Sequence, residues 1–203
     1  SVFGRKRKFS REYLSWLYRK NPAGPAIVFN AYCSDKIIAH FAVVPQRALI
    51  YKNPTIVGLS LNSATAVGAR GLGLFVELGQ RTLSEAASAG YSGIVGVTNA
   101  KSFRGFEKYL GFDFIAPLDA RMSFDVPDIL PADDSPDLDF ATLHDDEFLF
   151  WRLRNPSKRY YFSIRDNAYW VRTHGVVAAV LKIKAEDRGI VPLLNHQIFF
   201  PKI

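Results

Sequence analysis

The stretch Ile56–Phe112 restricts this chain more than any other part of it. It reads as an extended apolar run over Ile56–Val67, then Gly68-Ala69-Arg70-Gly71-Leu72-Gly73, then an amphipathic helical segment over Leu74–Ala89. A break at Gly90 follows, then a second apolar run over Tyr91–Val97, then Thr98–Phe112 as a loop and a short helix. Glycines at 68, 71 and 73 let backbone N–H groups point outward with no Cβ in the way, and the helix behind them adds about half a positive charge at its start. Such a turn suits a phosphate or pyrophosphate, and Arg70 adds a fixed charge. There is no Gly-Lys-Ser/Thr ending, and the three-glycine order of the dinucleotide loops is not met. Taken alone, the turn reads either as a phosphate site or as a tight turn that binds nothing.

The chain ahead of this stretch supplies strands. Ser10 is placed to cap a helix carrying Tyr13, Leu14, Trp16, Leu17 and Tyr18, with Glu12 in its first turn, and Asn21-Pro22-Ala23-Gly24-Pro25 ends it. Ala26–Cys33 and Ile37–Val44 read as two strands joined by Ser34-Asp35-Lys36 in a hairpin. Pro45 is expected to break the second, which resumes over Gln46–Tyr51. After Phe112, Asp113–Phe124 reads as a strand completing the sheet. Val126–Asp137, with three prolines and four aspartates, is a linker by composition.

Arg70-Gly71-Leu72-Gly73 between a strand and a helix, a next strand ending at Asn99, and a short helix closing on Leu110-Gly111-Phe112 together resemble the Gcn5-related N-acetyltransferase (GNAT) family. The resemblance covers about residues 9 to 120. It implies an α/β (α+β) fold, a mixed, mostly antiparallel sheet flanked by helices, in which the strand before the turn splays from the strand after the helix. It further implies acetyl-coenzyme A as cofactor. Arg70, Gly71, Leu72, Gly73 and Leu74 would hold its pyrophosphate, Thr65, Ala66 and Val67 would lie along its pantetheine arm, and Asn99 would be the polar group where the second strand exits. Gly68 departs from the pattern, where Gln or Arg is usual. The family's pattern also opens with a further strand and helix, so the chain is expected to be a fragment or to have that edge filled by a neighbouring segment.

In that family a tyrosine before Leu-Gly-Phe often protonates the leaving thiolate. Here the slot falls at Phe106 or Glu107 and the nearby phenol is Tyr109, which is the candidate acid, with helix packing as its other reading. Ser102 reads as a helix cap or as a cofactor contact. A backbone N–H around Ala66 or Val67 is the expected oxyanion donor.

Beyond the linker the chain echoes itself. Glu12-Tyr13-Leu14-Ser15-Trp16-Leu17-Tyr18-Arg19-Lys20-Asn21-Pro22 recurs in outline as Glu147-Phe148-Leu149-Phe150-Trp151-Arg152-Leu153-Arg154-Asn155-Pro156, and strand-like runs over Tyr160–Ile164 and Tyr169–Ile183 follow. We read a partial second unit of the same kind. Arg188-Gly189-Ile190 is the only remnant of the glycine turn. The division is therefore 1–124 as an acetyltransferase-like domain, 125–143 as linker and 144–203 as a smaller GNAT-like unit.

Composition closes several doors. With 203 residues and 48% apolar content the chain can bury a core. No apolar run reaches the roughly 18 to 20 residues that cross a bilayer, and no apolar signal segment opens it, so a cytoplasmic protein without a membrane partner is the expectation. One cysteine, Cys33, forbids an internal disulfide and a cysteine metal cluster; its apolar run points to core packing rather than a nucleophile. His144, His174 and His196 share no ligand spacing, so no metal is expected. His40, in an apolar strand, reads as a satisfied sheet residue, Glu77 and Glu85 as a solvated helix face, and Asn62 as a neutral amide limited to hydrogen bonding. The net charge of +7 attracts polyanions, but the basic residues are scattered and no aromatic-basic platform is evident, which disfavours nucleic acid. The function expected is transfer of acetyl from acetyl-CoA to the amine of a small molecule, with a homodimer left open. The competing readings are a non-catalytic GNAT-like binding module and an aminoacyl-transferase relative.

Overall fold

The computed structural model describes residues 9–115, 140–143, 145–165, 168–173, 176–183 and 190–192. The chain divides into two compact units, 1–115 with 140–143 and 116–139 with 144–203.

The first unit begins with α1 (Arg11–Arg19), where the Ser10 hydroxyl accepts the Tyr13 N–H at 3.1 Å and satisfies one of the donors a helix start leaves unpaired. A hairpin of β1 (Ile27–Cys33) and β2 (Lys36–Ile50) follows, turned by Ser34 with φ of 50°. β3 (Asn53–Ser60) returns antiparallel to β2, and the short β4 (Ala64–Thr65) continues along it. A single 3-10 turn (Val67–Ala69) leads to α2 (Leu74–Ser88), β5 (Ile94–Gly96), α3 (Ala100–Leu110) and later β6 (Phe140–Thr142). The sheet runs β1-β2-β3-β5, with β4 and β6 also on β2; every pairing is antiparallel except β3 with β5. This is the mixed, mostly antiparallel sheet flanked by helices that the sequence led us to expect.

Pro45 does not break β2, which passes through it without interruption. The reason lies in the register. Gly58, opposite Pro45, donates its N–H to Gly93, so this pair turns its main-chain groups away from each other. The donor that proline lacks would therefore face the flank where β1 has ended at Val43 and β6 has not begun, and Asn21 Nδ2 occupies that flank by donating to the Pro45 carbonyl at 2.9 Å.

Alternation along β2 assigns its two faces. Ala39, Phe41 and Val43 point to α2 and α3, where they form one core with Leu78, Phe106 and Leu110. Phe106 is its wedge, tilted or edge-on against Phe41, Phe75 and Phe112. His40 turns to the opposite face, toward α1. Cys33 is exposed, not packed, because β1 runs past its helices to the hairpin end. Residues 111–115 carry no regular structure where a strand was expected to begin. Residues 140–142, placed in the linker by composition, form β6 because Phe140-Ala141-Thr142 finds an open edge at Ala48–Ile50.

The second unit consists of α4 (Asp146–Leu153) and four antiparallel strands, β7 (Tyr161–Arg165), β8 (Ala168–Thr173), β9 (Val176–Ile183) and β10 (Ile190–Pro192), in the order β10-β9-β8-β7. The run read as one strand over Tyr169–Ile183 is two. Residues 116–124, the proline-aspartate stretch 126–137, His144, His174, His196, Arg188 and Gly189 lie outside the described residues. Among the described residues no helix is long and apolar enough to cross a membrane.

Phe106→Ala should cost about 3 to 5 kcal/mol, since it removes a ring with core on three sides. Urea denaturation checks it, and a loss under 1 kcal/mol would show that this cluster does not hold the sheet to its helices.

Candidate functional site

The site begins with one extra residue. Val43 pairs with Ser60 and His40 with Ala64, so β2 advances three residues while its partner advances four. The surplus lies around Asn62, whose φ of 59° is a left-handed conformation that asparagine tolerates better than most side chains. β5 accompanies β3 only as far as Ser60 opposite Gly96, and beyond it β4 is paired to β2 alone among the described residues. Ala66 N–H donates to the Ile38 carbonyl at 2.8 Å, so the neighbouring Thr65 turns its N–H and C=O to the other flank, where β5 has ended. The strands diverge there. The hydroxyls of Ser60 and Ser63, at either end of this step, are buried and have no hydrogen-bond partner in the protein.

The glycine bend follows directly. Ala69 and Arg70 N–H close the 3-10 turn onto Ala66 and Val67, and Gly71 and Gly73 then take φ of 84° and 74°, which exclude most side chains. A Cβ at Gly68, Gly71 or Gly73 would meet nothing within 4 Å. The bend therefore faces outward and is not filled by side chains; Arg70 and Leu72 on it are exposed. Gly73 precedes α2 in left-handed backbone without any side-chain cap, and its carbonyl takes the N–H of Val76 and Glu77. The earlier donors of the helix are left for a ligand or water.

On the α1 face lies a polar chain. His40 Nδ1 sits 2.7 Å from Asn30 Oδ1, His40 Nε2 is 3.2 Å from the Tyr18 hydroxyl, and Asn62 Nδ2 donates to that hydroxyl at 3.1 Å. Burial lowers the His40 pKa below the ordinary imidazole value. Burial likewise raises that of Tyr18, partly offset by the Asn62 amide.

An antiparallel sheet whose strand bulges, parts from a parallel neighbour and enters a helix through an open glycine bend decides the topology. The fold is of the Gcn5-related N-acetyltransferase type. No protein-family model and no curated protein matches this chain. Among solved structures, it is similar to a putative acetyltransferase from Agrobacterium tumefaciens, at 15% identity and a TM-score of 0.46 over 58% of this chain and 84% of that one. A second is glucosamine-6-phosphate N-acetyltransferase from Arabidopsis thaliana, at 17% identity and 0.41 over 49% and 67%. A third is a predicted acetyltransferase with acetyl-CoA from Clostridium acetobutylicum, at 23% and 0.42 over 47% and 64%.

Within this GNAT-type fold, Thr65, Ala66 and Val67 lie on the diverging strand and its exit, and Arg70 to Leu74 form the bend and the start of α2. Of the two expected oxyanion donors, Ala66 gives its N–H to the Ile38 carbonyl, while Val67 opens the 3-10 turn; Thr65 also turns its amide outward. Asn99 caps α3, its Oδ1 accepting the Ser102 N–H at 3.0 Å. Ser102, read as the cap, is thus the residue capped, and its hydroxyl donates to the Asn99 carbonyl at 3.2 Å. Tyr109 is exposed beside Lys108 in the last turn of α3. Its better-aligned neighbour Phe106 is consumed by the core.

Sequence reasoning missed Tyr18 and Asn30 and read His40 and Asn62 apart. The available signal was alternation: His40 lies between Ala39 and Phe41, which share one face of β2, so it turns to the other.

The lowered His40 value fixes a sign. The unfolded chain binds a proton at higher pH than the folded one, so this contribution is complete above the unfolded imidazole value and is lost as pH falls through the folded one. Thermal melts from pH 7.5 to 5 should show a smaller loss of Tm for His40→Gln than for the natural chain. Equal slopes would contradict the burial of this ring.

Proposed function

We propose that this chain transfers an acetyl group from acetyl-CoA to the amine of a small molecule. The observation that carries the reading is the continuity of three features: diverging strands at Ser60–Thr65, two orphaned serine hydroxyls beside them, and an outward glycine bend leading to an uncapped helix start. Each suits a different part of one long ligand. Arg70, Gly71, Leu72, Gly73 and Leu74 supply fixed charge, amides without obstructing Cβ atoms and the helix dipole, which together hold a diphosphate. Thr65, with main-chain groups turned from β2, and Val67 offer the edge along which an amide-bearing arm pairs as an added strand would. Asn99 and Ser102 sit where β5 gives way to α3, and Ser60 and Ser63 are buried hydroxyls without a partner in the protein, open to a ligand or water. When bound, the cofactor supplies an acetyl group already activated as a thioester.

The protein's share is orientation, exclusion of water and control of a proton. A free alkyl amine has a pKa of about 10, so at neutral pH it arrives mostly charged and must lose a proton to act as a nucleophile. Tyr109, exposed on α3, is the phenol available to protonate the leaving thiolate. A thiolate whose pKa is about 8.5 departs without an acid, and none is required.

Acetyl-CoA should raise the Tm. Cofactor at one hundred times its Kd stabilises by about 2.7 kcal/mol, which is several degrees for a chain of this size. Arg70→Glu should abolish the shift while leaving the cofactor-free Tm within about 2 °C, because Arg70 is exposed on the bend. No shift of the natural chain at millimolar acetyl-CoA would overturn the reading.

A further inference from the structure

We infer that Tyr18 and His40 form the proton acceptor for the incoming amine, with Tyr18 Oη as the atom that meets the nitrogen; this rests on the transferase reading above. Three observations carry it. The first is the polarity of the chain. Asn30 Oδ1 can only accept, so His40 Nδ1 bears the ring proton at 2.7 Å and Nε2 is left bare, facing the Tyr18 hydroxyl at 3.2 Å. The phenol then donates to Nε2, and Asn62 Nδ2 donates to the phenol oxygen from the other side. All three bonds run in one direction, Asn62 to Tyr18 to His40 to Asn30, and each supports the next.

The second is location. His40 pairs with Ala64, the first residue of β4, so it stands one strand in from the flank that β5 has abandoned. Asn62, the residue in left-handed backbone at the bulge, is the one whose amide reaches Tyr18. The distortion that parts the strands is therefore the same one that aims a donor at the phenol.

The third is charge. Among the side chains bonded to this pair from α1, β1 and the bulge, none is a carboxylate or a cation, and burial holds both the phenol and the imidazole neutral near pH 7. A neutral hydroxyl on a neutral imidazole accepts one proton. As the amine nitrogen commits its lone pair to the new N–C bond, its N–H becomes strongly acidic. That N–H breaks and an O–H forms at Tyr18, while the former Tyr18 proton moves to His40 Nε2. The acyl carbon exchanges its bond to sulfur for one to nitrogen, and sulfur keeps the electron pair. The charged amine leaves its first proton to solvent before it attacks and passes its second through Tyr18 to His40, and Asn30 Oδ1 holds the resulting imidazolium through Nδ1–H.

The test has two arms. In the cofactor-free full chain, 15N spectra of the imidazole should show His40 with a protonated Nδ1 and a bare Nε2, and Tyr18→Phe should shift Nε2 while leaving Nδ1 in place. A protonated Nε2 overturns the relay whatever the activity. In the second arm, thiol release from acetyl-CoA is followed with glucosamine, spermidine and 2-phenylethylamine. His40→Gln and Tyr18→Phe should each lower kcat on any accepted amine by about 100-fold, within the usual range for general acid–base groups, and keep the acetyl-CoA shift in Tm. The acid limb of the kcat profile should vanish in His40→Gln. Unchanged kcat with an unchanged limb overturns the relay and leaves the transferase reading standing. Silence of the natural chain on all three amines, or no shift in Tm with acetyl-CoA, overturns both.

Discussion

One surplus residue in the strand beside β2 governs this structure. Had β3 and β4 kept a uniform register, the strand after Ser60 would have carried on beside both neighbours, and each N–H and C=O along it would have been used within the sheet. The bulge at Asn62 instead shifts the register by one and increases the local twist, while β5 stops at Gly96. A strand at an interior position of the sheet thus acquires an edge. Free edges attract pairing, and here the free length is two residues, short enough to serve a ligand without inviting another chain. The glycine bend has meaning only because it follows that edge.

The remainder of the first unit keeps this opening rigid. Phe106, Leu110 and Leu78 press α2 and α3 onto the odd-numbered face of β2, and the last turn before β5 is tied by Ser92 and Gly58 N–H to Ile56 and Gly93. Gly58 itself has no room for a side chain, since a Cβ there would fall inside the Val43 methyl group. β5 is therefore seated closely against β3 up to the point where it departs. Tight packing below and divergence above are two parts of one device, because close-packed interiors do not deform gradually.

Much of this was legible in the sequence. Periodicity gave α2 within one residue of its end, and the glycines at 68, 71 and 73 gave a turn between strand and helix with no Cβ in the way, since both follow from local rules. What escaped depended on neighbours distant in sequence. Pro45 looked like a strand breaker because its lost donor was judged alone, whereas the sheet gives it a flank with no partner strand and an asparagine from residue 21. Cys33 looked buried because its run is apolar, yet the hairpin extends past the helices. Ser102 and Asn99 exchanged roles because both are good caps and only geometry shows which precedes the helix. Tyr18, Asn30, His40 and Asn62 lie on four elements, and no spacing rule links them.

The echo between Asn21-Pro22 and Asn155-Pro156 can now be given a physical content. Each follows a helix whose cap, Ser10 or Asp145, accepts the N–H three residues on. Each asparagine is buried, its Oδ1 takes the N–H two residues later at 2.9 Å, and its carbonyl takes the N–H three residues later. The motif is a helix stop that turns the chain by a side chain in place of backbone pairing, and proline, which could not continue the helix, stands inside it at no cost in donors. Asn21 spends its remaining amide on Pro45 of β2, which locks the corner to the sheet beneath it. The corner ends a helix immediately before an antiparallel sheet while keeping the buried asparagine's Oδ1 and carbonyl paired, and both units carry it. The glycine bend is another matter: the described residues hold it once, between the diverging strand and α2, where an opened sheet edge gives it something to serve.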